Sequence, residues 1–218
     1  WENNNQNYVV ASAPSSGNFA HTIGSFSMTS GKHYWETMSK SASAIGNEYY
    51  FGIGPQGIFS SGAWENRKPT SSWRVVDNWT GQKYDQSASG TIYGTKIGDG
   101  PAYIWSHALD MDTGKYWVGK RHSSAKVNTW FASGNPATGY NPGFSGLVGP
   151  YVPLCTAVCS GTFLINFGHN LEWETLAPPA GFSLISPLHN DDDNKNLMAG
   201  QNGDPLKPPT LQTNQIDG

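Results

Sequence analysis

Period-two alternation dominates this chain, and helical periodicity is almost absent from it. NYVVASA (7–13), GKHYWETM (31–38), EYYFGIG (48–54), YIWSHALDM (103–111), KYWVGKR (115–121) and GTFLINFG (161–168) all alternate in the manner of strands. No run of ten or more residues carries apolar positions at i, i+3, i+4 and i+7. The 14 prolines and most of the 26 glycines lie between the alternating runs and read as turns. In HALDMDTGKYWV (107–118) the turn Asp112-Thr113-Gly114-Lys115 separates two strands. Gly114 takes positive φ at no steric cost, which predicts a hairpin there. Many strands joined by such turns predict an all-β chain folded as an antiparallel sandwich.

The 218 residues suffice for one sizeable core. Only 13% are charged, so Asn, Ser, Thr and Gly must supply the polar surface. Aromatics reach 13% with nine Trp, which suits a pleated, partly buried surface. A formal charge of -3 gives no electrostatic case for nucleic acid or an anionic membrane. No apolar run approaches the roughly 18 residues of a membrane span, and no signal peptide is visible. Because the chain begins at Trp1, it reads as a cleaved product or a segment of something longer.

Three regions differ in character. Residues 1–7, WENNNQN, are a polar lead-in; 8–188 hold the strands; 189–218 are a polar tail, linker or anchoring arm with too few large apolar residues for a core. No internal repeat is apparent. Cys155 and Cys159 sit four apart in CTAVC. On a strand that places their Cα atoms roughly 13 Å apart, beyond disulfide reach, so both read as free thiols. Such a fold suits assembly in a reducing cytoplasm.

Chemical motifs are sparse. DMDTG (110–114) lacks the glycine and the glutamate that an EF-hand loop needs, and reads as a hairpin turn. The run Asp191-Asp192-Asp193 reads as a solvated charge run. Glu172 and Glu174 flank Trp173 and would share a strand face, but the Glu-x-Asp-x-x-Glu pattern of sandwich glucanases is missing. The six histidines show no HxH or HExxH spacing, and no GxSxG elbow is present. NWT (78–80) matches a glycosylation sequon but lacks a secretion signal to give it meaning. No catalytic residue, metal site or cofactor is expected.

Four blocks in register resemble SPRY domains of the concanavalin A-like superfamily. GKHYWET (31–37) resembles the GKWYWE strand, and YYFGIG (49–54) the xxIGI strand. IWSHALDMDTGKYWVGKR (104–121) resembles the xGVxLDxDxGKLWFxKNG hairpin, and SGTFLINFG (160–168) the xxxxNFG strand. Two further stretches resemble the SPRY-type domains of tailed-bacteriophage particles: WFASGNPATGYNPGFSGLVGPYVP (130–153) and NFGHNLEWETLAPPAGFSLI (166–185). The chain departs from the pattern at GDGPAYIWSHALD, with Pro101 and bulkier residues, and at KRHSS, which replaces KNG.

The resemblance implies a bent sandwich of two antiparallel sheets, a jelly roll in which FLINFG is a closing core strand. Pro178 and Pro179 would fix the chain's exit. It implies a non-enzymatic virion protein, assembled in the host cytoplasm, that attaches to a bacterial surface glycan or receptor protein at a tail or fibre. The alternative is a head or tail decoration protein binding other virion subunits; a glycan-degrading enzyme ranks last. A homo-oligomer stays open, although no coiled-coil heptads support one.

Binding would then fall to loops. In 56–90, Trp64, Asn66, Arg67, Arg74, Trp79 and Tyr84 set aromatic faces beside planar polar groups, as a sugar or a protein hot spot requires. In 130–149, Trp130, Asn135 and Tyr140 do the same.

Overall fold

The computed structural model describes residues 7–10, 19–23, 27–42, 49–56, 73–85, 89–95, 102–158, 161–168, 173 and 175–185. Strands are numbered in chain order. One sheet runs β1 (Asn7–Val10), β13 (Gly161–Asn166), β3 (Lys32–Ala42), β8 (Tyr103–Asp110), β9 (Lys115–His122), β10 (Thr129–Trp130). In it β11 (Phe144–Ser145) also pairs with β9, and β14 (Ser183–Leu184) with β3. The other runs β2 (Phe19–Ile23), β12 (Tyr151–Val158), β4 (Tyr49–Pro55), β5 (Arg74–Asp77), β6 (Gln82–Asp85), β7 (Thr91–Ile92). The β14–β3 pair is parallel; the other named pairs are antiparallel.

The expected two-sheet antiparallel sandwich is what the chain forms. Its core lies between the sheets, where Trp35, Trp105 and Tyr116 of the first meet Tyr49, Phe51, Ile53 and Cys155 of the second. Cys155 is a buried free thiol; Cys159 lies outside the described residues. The β8–β9 hairpin turns where DMDTG predicts it, with Gly114 at φ 63°. The Asp110 carboxylate accepts from the backbone N–H of Asp112 and Thr113 and ties down the tip. Gly52 explains the YYFGIG pattern: a Cβ there would overlap the Arg74 carbonyl oxygen on neighbouring β5.

Deep in the core, His107 stacks on Trp35 at 4.9 Å, with its ring nitrogens 2.9 Å from Thr37 Oγ1 and 2.7 Å from Tyr116 Oη. Burial holds its pKa down at about 3, so the imidazole is neutral and sealed from solvent.

The outer face of the first sheet is also closed. Along β3, Tyr34, Glu36 and Met38 point away from the core and are all buried. Arg121 Nη2 lies 3.0 Å from Glu36 Oε2, with both side chains almost fully buried. The same carboxylate accepts from Trp173 Nε1 at 2.6 Å, from Tyr34 Oη at 2.6 Å and from Leu176 N at 3.4 Å. Arg121 also donates to the carbonyls of Ser123 and Ala125. Every strong valence of this buried pair is used, which is what keeps a desolvated ion pair from being a liability.

The chain reaches that hub from the C-terminal side as a strap. Phe182 N donates to Pro179 O at 2.9 Å, closing the Pro-Ala-Gly-Phe turn with Gly181 at φ 84°. Phe182 then packs edge-on against Trp117, and Ile185 enters the core between the sheets. PPAGF is thus a structural closure. Residues 186–218, including the Asp191–Asp193 run, lie outside the described residues, as do Glu172 and Glu174.

Candidate binding surface

The long excursion 130–149 is built onto one edge of β9. β10 pairs with Gly119 and Lys120, and after the loop β11 returns to pair with Tyr116 and Lys115. The segment between them is therefore pinned at both ends to one strand. Two aromatic anchors sink from it into the core. Phe131 packs edge-on against Tyr93 (5.7 Å) and Trp105 (6.2 Å), and Phe144 stacks on Tyr116 at 5.6 Å. The seat is tight: a Cβ on Gly94 would lie 2.6 Å from the Phe131 ring. Lys83 donates to Gly143 O with its ammonium over the Tyr93 and Phe144 rings, 5.6 and 5.5 Å from their centres. Burial pushes the Tyr93 phenol up to about 12, so it stays a neutral member of this seat.

The tip is fixed from below by polar contacts. Trp117 Nε1 donates to Tyr140 O at 2.9 Å, and Lys115 Nζ to Gly139 O at 3.3 Å. The Asn141 side chain donates to Ala132 O. Asn135 and Tyr140 exchange both backbone bonds, at 2.9 and 3.0 Å, around a 3-10 turn at Pro136–Thr138.

The loop also carries backbone strain. Among the described residues, the non-glycine residues with positive φ are Ala132 (51°), Ser133 (54°) and Asn141 (46°), all in this loop. Asn tolerates that region, but Ala and Ser pay about 1 kcal/mol or more each. Such residues persist only where surrounding contacts over-determine them, and they concentrate at ligand clamps. Residues 130–153 contain no charged side chain. What the loop offers outward is Tyr140, 64% exposed, with exposed Ser133, Asn135, Thr138 and Asn141 around it.

A second exposed aromatic sits on the β5–β6 turn. Trp79 is 48% exposed, and its backbone N–H donates to Asp77 Oδ1 at 2.7 Å. Asp77 Oδ2 takes Thr80 Oγ1, and Asn78 Oδ1 takes Tyr49 N, each at 2.7 Å. This pedestal belongs to the other sheet, apart from the β9 edge in topology.

The remaining sequence-derived candidates separate clearly. Arg74 is buried and pairs with Asp85 at 2.8 Å. Tyr84 is buried edge-on against Tyr50, in an outer-face cluster with Trp73 and Val75. Neither side chain is part of an exposed surface: all four residues of β5 are buried, and Tyr84 is the buried residue of β6. Trp130 is half-buried and packs edge-on against Tyr34 at 6.5 Å. Trp64, Asn66 and Arg67 lie outside the described residues. The structure thus brings Asn135 and Tyr140 together and leaves Trp79 separate. Sequence reading did not single out Trp117, Glu36 or Arg121. The signal for Glu36 was its place between Tyr34 and Met38 on an alternating strand, a carboxylate on a face that must be covered.

No family model and no curated protein matches this chain. Among solved structures it is similar to the SPRY domain of human HERC1, with a TM-score of 0.53 and 15% identity, over 76% of this chain and 91% of that one. The fold is SPRY-like. At that identity the likeness is one of architecture, so the function of the SPRY-like sandwich must be argued from its own surface.

Proposed function

We propose that this chain is a non-enzymatic bacteriophage virion protein whose SPRY-like sandwich is a binding module for the host surface. One observation carries the binding role: the 131–141 segment is held in a strained, fully braced conformation that turns Tyr140 and Asn135 outward. A scaffold loop needs no such bracing, whereas a recognition loop gains affinity from being ordered before its ligand arrives. The virion context rests on the NPATG stretch and the PPAGF ending, which resemble those of tailed-phage particle proteins. The buried carboxylate Glu36 and the sealed His107 are spent on structure, which leaves them no access to a substrate.

The test is immunolabelling of purified virus particles encoded by the same genome, read by electron microscopy. Label at the tail tip or fibres is the expected result. Label across the head would move the chain to a decoration role among other virion subunits. Particles without label would overturn the virion reading.

A further inference from the structure

We infer that the partner of this surface is a neutral glycan, gripped by Tyr140 and Asn135 as one sugar subsite. This rests on the reading of the 131–141 loop as the binding face.

The two residues are directly opposed across an antiparallel bridge and exchange both backbone bonds. Opposed residues of such a pair project their side chains to the same side, with Cβ atoms about 5 Å apart. A phenol ring and a planar amide therefore stand side by side on an exposed tip. A pyranose offers the matching chemistry: a C–H face for the ring and vicinal hydroxyls that both donate to and accept from an amide. Trp117 holds the pair from beneath through Tyr140 O, so the platform costs little ordering entropy when it is filled.

Size and charge narrow the partner further. The tip spans six residues, Asn135 to Tyr140. A stable protein interface needs about 800 Å² from each side, which a tip of that size does not supply. No charged side chain occurs in 130–153, and the Lys115 ammonium that reaches the tip is bound to Gly139 O. Nothing here favours a phosphate, a uronate or another anionic polymer. Recognition of this kind should be insensitive to salt, because no exposed ion pair is formed.

The experiment passes the purified chain over immobilised mannan, dextran and galactan, with hyaluronate as the anionic control, at about 50 mM and about 1 M salt. Retention on at least one neutral polymer, equal at both salts, is expected. Tyr140→Ala should weaken it about tenfold or more, and Asn135→Ala by a smaller factor, with both variants melting as the parent does. Retention only on hyaluronate and lost at high salt, retention on no neutral polymer, or neutral-polymer retention untouched by Tyr140→Ala would each overturn the inference. A parallel assay on host envelopes separates this failure from failure of the binding-module reading. Attachment that Tyr140→Ala weakens, that protease abolishes and that periodate spares would sink the glycan and leave the module standing.

Discussion

The strap at 173–185 and the loop at 130–149 are both long, irregular, rich in Gly, Pro and aromatics, and both lie along the first sheet. They use those residues in opposite ways. The strap turns Trp173, Phe182 and Ile185 inward and completes the Glu36–Arg121 hub. The loop buries Phe131, Pro136, Phe144 and Leu147 and lifts Tyr140 with its polar neighbours into solvent at the cost of three left-handed residues. A segment that closes a core relaxes into ordinary backbone, while one that displays a surface is held against its preference.

If that contrast is right, the two regions respond differently to substitution. The largest effect belongs to the hub. Glu36→Ala leaves Arg121 buried without its partner and strips acceptors from Trp173 and Tyr34, so unfolding in denaturant should lose about 3–5 kcal/mol. A loss below about 1 kcal/mol would mean that the strap is not held there.

Next comes acid. His107 has a folded pKa of about 3 against an ordinary value of 6.5. Between those values the unfolded chain binds a proton that the folded chain refuses. Stability is therefore retained above about pH 6.5 and falls as pH drops through the window below it, by about 1.4 kcal/mol per unit. Unfolding free energy measured at pH 7 and pH 5 should differ by about 2 kcal/mol from this group, and His107→Gln should flatten the difference. A profile unchanged by His107→Gln would contradict the sealed neutral imidazole.

Trp117→Phe removes the donor to Tyr140 O together with the fused second ring of a fully buried side chain. It should cost about 2 kcal/mol in stability and speed hydrogen exchange at the Asn135 and Tyr140 amides. Unaltered exchange at both amides would show that the tip is braced elsewhere. The smallest change in stability belongs to Tyr140→Ala, within about 0.5 kcal/mol by thermal melting, since the side chain stands in solvent.

Much of the sandwich is readable from alternation, because a strand with one buried face must repeat every two residues. All six alternating segments contain strands: β1, β3, β4, β8, β9 and β13. The two-residue strands β7, β10, β11 and β14 are too short to show any period. The stretch holding Arg74 and Tyr84 looks like a polar, aromatic loop, yet β5 and β6 run through it, with all of β5 and Tyr84 of β6 buried. Alternation cannot reveal a covered outer face, since what covers it is distant in sequence. The loop's tip was legible as aromatic and amide residues among turn formers. Its strain was not, because Ala132 and Ser133 carry no signal for positive φ, as a glycine would.

The most direct test of the account sets the two exposed aromatics against each other. Attachment of the parent chain, Tyr140→Ala and Trp79→Ala to the same host envelopes is measured side by side, with melting curves confirming that each is folded. The account predicts that Tyr140→Ala loses about tenfold or more in affinity while Trp79→Ala stays within about twofold. Loss with Trp79→Ala and none with Tyr140→Ala would place recognition on the β5–β6 turn and contradict it.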